Sequence, residues 1–496
     1  MPPDEKNTTL VIDQGTSSTK IFLFNLSNHV VFKSEDKHTL KYPRPGHVEA
    51  DALAIAHNCE KLIRQAINFA KKKNIHIYVS GIALQRSTFL FWDERTLKPL
   101  TPALSWQDGR AIDIVKKLKD HAETIFKITG SPLNAHLGGP KFAHLINKSD
   151  SLKEKTKTGS AIFGTISSFL IQYLTANCFI DETIASRFTM MNLNTGSWNQ
   201  ELLDLFGVPR ICLPQIVPSN YNFGSINIDH HIIPLRIVLG DQQAALIGQE
   251  GYIPGSVAMN FGTSGSVQIN AGESISYVDG LISSVLFANK KERHYLLEGT
   301  INACNSLFYK LEKDLGIPHK QMNWHHRCQE TDTNGIYVPS TFGIAAPYWV
   351  DHIKTISEGY GNNLPNEIIR AGMESIGFLV NDIWALTKKH LKVLPQYIVA
   401  SGGGSRPPLL QFISDLTGMT IYHSAMKDRT ALGVHLLLTK AHTGQWSNVQ
   451  SDYEDSYSPR MKKKIKDKKI NKWHSALKKA GVAWTKDEHS KMIESL

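Results

Sequence analysis

The chain alternates between short apolar runs and longer amphipathic stretches over most of its length. An apolar-periodic stretch at residues 53–73 predicts a helix, and so does the stretch that prolines open after Arg406 and that continues to Leu416. Four short runs predict strands, at residues 10–12, 20–24, 29–33 and 77–83. Because strands alternating with helices are typical of layered folds, the pattern predicts the α/β class.

One strand-turn-strand pattern occurs twice, about half the chain apart. Residues 8–25 carry it around Gln14-Gly15-Thr16-Ser17-Ser18-Thr19, and residues 257–270 carry it around Gly262-Thr263-Ser264-Gly265. Glycine lets backbone N–H groups point into a small concavity, and the hydroxyls beside it add donors, so each turn is a candidate phosphate cradle. A single turn of this kind is more often an ordinary hairpin. Two copies predict duplicated halves that grip a nucleotide in the cleft between them.

Length and composition predict a two-domain protein of the cytoplasm. A chain of 496 residues exceeds what one hydrophobic core normally serves, and the turn signal Tyr252-Ile253-Pro254-Gly255 divides it into residues 1–250 and 251–496. The start is polar, no apolar run approaches about 18 residues, and the five cysteines are scattered. We therefore expect no membrane partner and no disulfide framework.

The net charge of +10 raises the question of a nucleic-acid partner. Much of the charge lies in the lysine-rich run at residues 460–469, which lacks the interleaved aromatic residues that stack on bases. Such a run is usually a solvated helix face with at most a weak attraction to polyanions. We expect no nucleic-acid partner.

Several other residues are candidates for a binding site. Gly402-Gly403-Gly404 follows a strand-like run and could lie flat against a purine, or could be a tight turn. Asp241 ends another apolar run, where it could face a ligand crevice or cap a helix. Arg86 and Trp106 could line a pocket, or could be a surface charge and a core residue. The chain has no Gly-x4-Gly-Lys-Ser/Thr loop, which excludes a P-loop NTPase.

Together these motifs resemble a known superfamily. Asp13-Gln14-Gly15-Thr16, Gly262-Thr263 and Gly402-Gly403 resemble the ATPase domain shared by actin, Hsp70 and the sugar kinases. Residues 42–49, 81–86, 104–108, 163–165, 185–187, 240–245, 346–349 and 430–433 further resemble the FGGY carbohydrate kinases, most of all the glycerol kinases among them. The resemblance implies two actin-like (ribonuclease H-like) α/β domains around a central nucleotide cleft, and a kinase that uses ATP and Mg²⁺.

The resemblance also implies roles for individual residues. Asp241 would be the general base that takes the acceptor's hydroxyl proton, and Asp13 would bind Mg²⁺ directly or through water. The residues implied for the nucleotide are Thr16, Ser17, Ser18, Lys20, Gly262 and Thr263 at the phosphates, and Asn305, Gly402 and Gly403 towards the adenosine. The residues implied for the acceptor are Arg86, Ser87, Trp106, His136, Asp241 and Gln242.

Departures from the family pattern fall mainly in the acceptor pocket. Glycerol kinases have Glu, Tyr and Phe where this chain has Ser87, His136 and Ser266, and on the nucleotide side Asn305 and Tyr309 replace Gly and Gln. Unfilled space and lost hydrogen-bond partners weaken binding, so we expect glycerol to be a poor substrate.

The acceptor is therefore predicted only as a small polyol or sugar. A ketose kinase of the xylulokinase type stays an alternative, as does a regulatory actin-like ATPase that has no small acceptor. Asp241 with the wall of Arg86 and Trp106 favours a kinase, because an ATPase needs no sugar pocket. A homo-oligomer is left open.

Overall fold

The computed structural model describes residues 6–339, 343–350, 353–424, 428–447 and 453–482. All five predicted elements of the N-terminal region are present. The predicted strands lie within or overlap the observed strands Asn7–Gln14, Ser18–Asn25, Val30–Lys37 and His76–Leu84. The predicted helix is observed as Ala52–Lys73, which the Asp51 side chain caps by accepting from Ala54 N at 3.0 Å.

A six-stranded sheet forms the centre of the N-terminal half. Its edge-to-edge order is Asn220–Ile228, His231–Gly240, His76–Leu84, Asn7–Gln14, Ser18–Asn25 and Val30–Lys37. Leu10 and Ile12 point into a core shared with helix Ala52–Lys73, whereas Val11 points into a second core on the opposite face. Both faces are therefore covered, which is why this strand reads as a continuous apolar run.

A seven-stranded sheet forms the centre of the C-terminal half. Its order is Tyr453–Tyr457, Ile421–Ser424, Ile398–Ser401, Val257–Phe261, Gly265–Gly272, Arg293–Ile301 and Ile282–Ala288. Helices Leu364–Thr387 and Pro407–Thr417 pack against one of its faces in a single hydrophobic cluster. Helix Pro407–Thr417 is the proline-opened helix that the sequence predicts.

The two sheets share strand order and pairing sense over six strands, so the chain contains a structural duplication. The order from Asn220–Ile228 to Val30–Lys37 corresponds strand by strand to the order from Tyr453–Tyr457 to Arg293–Ile301, and each pair of neighbours is parallel or antiparallel in the same sense in both sheets. The repeated turns join equivalent hairpins. The duplication inferred from the two Gly-Thr-Ser turns thus extends over five strands that occur in the same chain order in both sheets. The sixth strand differs, because Asn220–Ile228 precedes its neighbour in the chain and Tyr453–Tyr457 follows its own.

Smaller elements surround the two sheets. A four-stranded sheet has the order Glu49–Ala50, Ala103–Leu104, Phe89–Asp93 and Ala161–Thr165. Three strand pairs are Met191–Asn192 with Ser197–Trp198, Phe179–Asp181 with Gln215–Val217, and Ile336–Val338 with Ile356–Glu358. The other α-helices are Ile112–Lys117, Ala122–Thr129, Gly138–Ile146, Asp150–Lys157, Ile166–Thr175, Glu182–Ala185, Gln200–Phe206, Asp241–Ile247, Asn305–Leu315, His319–Met322, Trp324–Glu330, Arg429–Thr443 and Lys463–Lys479. Single turns of 3₁₀-helix lie at Lys119–His121, Ser186–Phe188 and Arg210–Cys212.

Two helices cross at backbone contact between the halves. Helix Arg429–Thr443 packs on the N-terminal sheet and against helix Asp241–Ile247. A Cβ atom on Gly433 would lie 1.9 Å from the Ala244 carbonyl oxygen, and one on Gly248 would lie 2.0 Å from the Arg429 carbonyl oxygen. Only glycine fits at both positions. A C-terminal segment therefore completes the N-terminal core, while the division into residues 1–250 and 251–496 stays a prediction.

The lysine-rich run begins a helix with one anchored face. In helix Lys463–Lys479, Trp473 is fully buried and Lys463, Lys464 and Lys468 are exposed. Trp473 Nε1 and His474 Nε2 both bond the buried Asp382 carboxylate, at 2.8 and 3.0 Å. Most of the lysines thus form a solvated face. Among the helices described, none combines the length and apolar character needed to cross a bilayer.

We predict that Gly433→Ala lowers the stability of the protein more than a simple loss of glycine would. The added methyl group has to separate the crossing helices, and overpacking of this kind costs about 1–3 kcal/mol. The measurement is the denaturation midpoint in urea. The control is Gly109→Ala, whose added methyl group would meet only His136 Cε1, at the ordinary contact distance of 3.7 Å. Equal midpoints for the two variants would contradict the prediction.

Candidate active site

Three neighbouring parallel strands end at one edge of the N-terminal sheet and bring together the candidate chemistry. In their register, Asp13 and Leu239 both lie opposite Ala83. The chain after these strands continues into the first turn, into Arg86, and into Asp241. Because the carboxyl ends of parallel strands form a crevice, this edge is where an α/β sheet binds ligands.

The first turn is held closed by its own backbone. Gly15 N donates to Ser18 O at 2.9 Å, which places Thr16 and Ser17 at the tip of the turn. Thr16 is half-buried and Ser17 is exposed. Trp106 Nε1 donates to Thr16 Oγ1 at 2.9 Å, and Trp106 itself is 38% exposed. Trp106 therefore lines the cleft and is not a core residue. Lys20 lies on strand Ser18–Asn25, and its Nζ is 3.8 Å from Asp428 Oδ1.

The second turn forms one cluster with the other C-terminal candidates. Gly262 N donates to Ser264 O at 2.9 Å, and Gly262 O accepts from Asn305 N at 3.1 Å. Gly402 has φ +93°, and a Cβ atom there would lie 2.5 Å from the Phe261 carbonyl oxygen, so the triple-glycine turn lies directly against the second hairpin. The space beside Gly403 is open, because a Cβ atom at this position would have only the Asn305 amide nitrogen near it, at 4.0 Å. The sequence-predicted nucleotide residues of this half are thus contiguous.

A buried salt-bridge cluster joins the two halves across the cleft. Arg86 donates from Nη1 and Nη2 to Glu298 at 2.7 and 2.9 Å, and Arg187 Nη2 donates to the same carboxylate at 2.7 Å. Burial raises the pKa of Glu298, but the two arginines outweigh it and hold that pKa at about 2. Arg86 Nε lies 3.6 Å from Asp241 Oδ1. Arg86 is therefore a cleft residue held between carboxylates and not a surface charge.

Two carboxylates at the strand ends have raised pKa values. Burial raises the pKa of Asp241, opposed by Arg86, and Asp241 Oδ1 accepts from Gln242 N at 2.8 Å. Asp241 is the first residue of its helix, and the residue before it, Gly240, occupies the cap position. Burial raises the pKa of Asp13 to about 7, opposed by Lys20 and reinforced by Asp241 and Asp428. Within the described residues no hydrogen bond or ion pair reaches the Asp13 carboxylate.

The remaining acceptor candidates surround the same crevice. Ser87 follows Arg86 and has φ +60°. His136 is exposed, and its Cε1 would lie 3.7 Å from a Cβ atom on Gly109, just after the Trp106 turn. Gln242 Oε1 is 3.5 Å from Gln268 Nε2 of the C-terminal sheet. The structure therefore brings every predicted acceptor residue to one region.

Comparison with known proteins assigns the chain to a family. Residues 8–248 match the family model for the N-terminal domain of the FGGY family of carbohydrate kinases, and residues 257–442 match the model for its C-terminal domain. The chain belongs to the FGGY family of carbohydrate kinases. It is thus an ATP-dependent phosphotransferase with an alcohol group as acceptor.

Individual relatives of this FGGY kinase span its whole length. It is 30% identical over 501 residues to a glycerol kinase of Leifsonia xyli subsp. xyli, covering 97% of this chain and 98% of the relative. The structure of Plasmodium falciparum glycerol kinase with ADP is similar at a TM-score of 0.89 and 29% identity, covering 97% and 99% of the two chains. A xylulose kinase from Lactobacillus acidophilus shares the fold at a TM-score of 0.81 and 21% identity, covering 95% of this chain and 98% of that one. The predicted family, fold and kinase class are confirmed, and the ketose kinase alternative gains no separate support.

Three buried charged residues of this FGGY kinase were assigned no role from the sequence. Glu298 directly follows the apolar run Tyr295-Leu296-Leu297, and an acid at the end of such a run is the sequence signal that could have marked it as a site residue. Arg187 lies in one of the stretches that resemble the family, but the resemblance implies no role for it. Lys141 follows Gly138-Gly139-Pro140 and reads as an ordinary helix residue.

Lys141 ties together the backbone of the two turns that carry the candidate acceptor residues. It is fully buried, and its Nζ donates to Ser105 O at 2.6 Å, to Ser87 O at 3.0 Å and to Leu104 O at 3.4 Å. These carbonyls belong to the two turns that carry Arg86 and Trp106. Burial lowers the pKa of Lys141 to about 7, opposed by Asp108. One ammonium group therefore fixes two pocket turns relative to each other.

We predict that Lys141→Met raises the KM for the best acceptor about tenfold while the KM for ATP stays within about twofold. Removing the ammonium leaves the Ser87 carbonyl without its donor, although Ser105 O still accepts from Asp108 N at 2.9 Å. A buried acceptor left unpaired costs about 1–3 kcal/mol, and this loss falls on the turn that carries Arg86. Steady-state kinetics with each substrate varied in turn measures both constants. Lys148→Met changes an exposed lysine just beyond the same helix and serves as the control. A parallel rise in both KM values would argue against a specific role in the acceptor pocket.

Proposed function

We propose that the cleft transfers the γ-phosphoryl group of ATP to a hydroxyl of an uncharged polyol or sugar, with Asp241 as the general base. The observation that carries this proposal is the position of the Asp241 carboxylate, at a strand end beside Arg86 and facing the cleft. Both predicted phosphate turns border the same cleft. The family, which is a family of carbohydrate kinases, supports the same chemistry.

The acceptor would bind between Trp106 and the salt-bridge cluster. Arg86 keeps donor hydrogens that the Glu298 carboxylate leaves unused, and these would orient the reacting hydroxyl towards Asp241. Burial raises the basicity of the Asp241 carboxylate, which favours proton removal from an alcohol. Ser87, His136 and Gln242 would complete the pocket.

The nucleotide would bind between the two turns. Backbone N–H groups and hydroxyls of Thr16, Ser17, Ser18, Gly262 and Thr263, with the Lys20 ammonium, would surround the phosphates from both halves. Gly402 and Gly403 present flat backbone, and Asn305 lies beside them, where the adenosine would lie. The structure of Plasmodium falciparum glycerol kinase contains ADP, which is consistent with an adenine nucleotide as the donor.

The donor set around Asp13 fits a magnesium ion. Its carboxylate is half-buried, unpaired among the described residues and surrounded by further acids, an environment that a divalent cation would neutralise. When bound, Mg²⁺ would offset the negative charge of the phosphate oxygens. Asp13 would hold the ion directly or through water.

The acceptor pocket argues against glycerol as the preferred substrate. Ser87, His136 and Ser266 replace larger or charged residues of the glycerol kinase pattern, so we propose an acceptor of four or more carbons. All five cysteines are unpaired thiols, which supports a reducing compartment such as the cytoplasm.

We predict that Asp241→Asn lowers kcat by about 10²- to 10⁴-fold and leaves ATP affinity within about twofold. The amide accepts no proton from the hydroxyl, whereas the phosphate turns stay intact. Steady-state kinetics measures kcat, and isothermal titration measures the affinity for ATP. Asp113→Asn, at an exposed carboxylate, is the control. Turnover above about a third of the wild-type value would exclude Asp241 as the base.

We predict that Thr16→Val and Thr263→Val each raise the KM for ATP by about three- to tenfold. Each removes one hydroxyl donor from one side of the triphosphate, and the net contribution of a typical hydrogen bond, about 0.5–1.5 kcal/mol, corresponds to a change of this size. Thr16→Val also removes the acceptor of the Trp106 indole and should raise the acceptor KM, whereas Thr263→Val should not. Thr195→Val, at an exposed hydroxyl, is the control. Unchanged ATP kinetics in both variants would contradict the proposal that the two turns bind the same triphosphate.

A further inference from the structure

Two neighbouring strands of the C-terminal sheet carry a set of polar side chains on one face. In strands Gly265–Gly272 and Arg293–Ile301, Ser266 lies opposite Thr300 and Gln268 lies opposite Glu298. Residues directly opposite each other in an antiparallel pair point to the same side of the sheet. The residues between them point the other way: Val267 is fully buried in the core, and a Cβ atom on Gly299 would lie 2.6 Å from Ile383 of helix Leu364–Thr387.

This polar face looks across the cleft at the acceptor pocket. Glu298 reaches Arg86 and Arg187 of the N-terminal half, and Gln268 Nε2 lies 3.5 Å from Gln242 Oε1. Gln242 follows the Asp241 base directly. Ser266, Gln268 and Thr300, which we call the distal wall, therefore lie on the far side of the salt-bridge cluster from the N-terminal strand ends.

The distal wall has unused hydrogen-bonding capacity. Gln268 is 2% exposed and its one hydrogen bond is at the distance limit, while Ser266 is 9% exposed. Within the part of the chain that the structure describes, the Ser266 and Thr300 hydroxyls have no hydrogen-bond partner. None of these atoms is both fully buried and unpartnered, so they remain within reach of water and can bond the hydroxyl groups of a ligand instead.

The charges at the wall favour an uncharged ligand. Glu298 accepts from both arginines, and Asp241 lies 3.6 Å from Arg86, so two carboxylates balance the two guanidinium groups. A carboxylate on the ligand would meet Glu298 with no spare positive charge in this cluster. Hydroxyl groups need no counter-charge and can both donate and accept.

We propose that the distal wall binds hydroxyl groups remote from the one that is phosphorylated, so that the acceptor is an uncharged polyol or sugar of about five carbons and not a sugar acid. This inference rests on the proposed kinase activity and adds a binding surface to it. Glycerol offers two hydroxyl groups besides the one that is phosphorylated, whereas a pentitol offers four for the distal wall to bind. Gln268 would be the main specificity-determining residue, since its amide offers two donors and an acceptor.

The test compares acceptors of different length and charge in the wild type and in Gln268→Leu. Values of kcat/KM are measured for glycerol, for pentitols and pentoses, and for the five- and six-carbon aldonic acids. We expect Gln268→Leu to lower kcat/KM for the best five-carbon acceptor at least about tenfold, and to change the glycerol value less than about threefold. The KM for ATP should stay constant. In the wild type, each aldonic acid should be at least about tenfold worse than the polyol of equal length.

Controls separate folding effects from specificity. Gln200→Leu makes the same change at an exposed site and should leave every acceptor value unchanged. Thermal unfolding checks that each variant folds. If Gln268→Leu does not fold, Thr300→Val at a half-buried position replaces it, with the same expected loss of kcat/KM for the five-carbon acceptor and the same small change for glycerol.

Three outcomes would overturn the inference. Equal losses on glycerol and on the five-carbon acceptor would show that the wall does not sense length. Glycerol or an aldonic acid as the best wild-type substrate would refute the proposed ligand class while leaving the kinase activity in place. Neither turnover nor a thermal shift with any acceptor would refute the proposed function itself, and this inference with it.

Discussion

The contact of two helix backbones at Gly433 and Gly248 fixes the geometry on which the site depends. Helix Asp241–Ile247 begins with the candidate base, and helix Arg429–Thr443 begins just after Asp428, which bonds Lys33 at 2.6 Å and lies near Lys20. The crossing therefore sets the separation between Asp241 and the Asp428 carboxylate near Lys20. Since no side chain separates the helices at these two glycines, their contact leaves little freedom for one to slide along the other without losing backbone packing.

The salt bridge of Glu298 with Arg86 and Arg187 acts on the same geometry from the other side of the cleft. Removing one partner from a buried ion pair typically costs about 3–5 kcal/mol, because the remaining charge stays desolvated. Opening the cleft would therefore require water to replace these contacts. The cluster links Arg86, a candidate acceptor residue, to the C-terminal sheet, which also carries the second predicted phosphate turn.

The sequence predicts the parts of this kinase that depend on local pattern. The hairpins, the strand ending at Asp13 and the Asp241 turn are contiguous in the chain, so turn chemistry and apolar periodicity reveal them. Glu298 and Lys141 are different, because their roles depend on which strands and turns become neighbours after folding. A lysine is almost never fully buried, so nothing local marks Lys141 as the donor to Ser87 and Ser105. Likewise, helix Arg429–Thr443 packs in one core with residues of both halves, from Val11 of the first strand to Leu296, which a division by position does not anticipate.

The hydrogen bond between Trp106 and Thr16 joins a candidate acceptor residue to a candidate phosphate-binding residue. A hydroxyl group has one donor hydrogen and two acceptor positions. The indole N–H of Trp106 occupies an acceptor position of Thr16, which leaves the Thr16 hydrogen free to donate to a phosphate oxygen. Accepting one bond polarises a hydroxyl and strengthens the bond that it donates. A correctly seated acceptor, which would fix the Trp106 ring, would therefore strengthen the hold of the first turn on the nucleotide, and an empty pocket would weaken it.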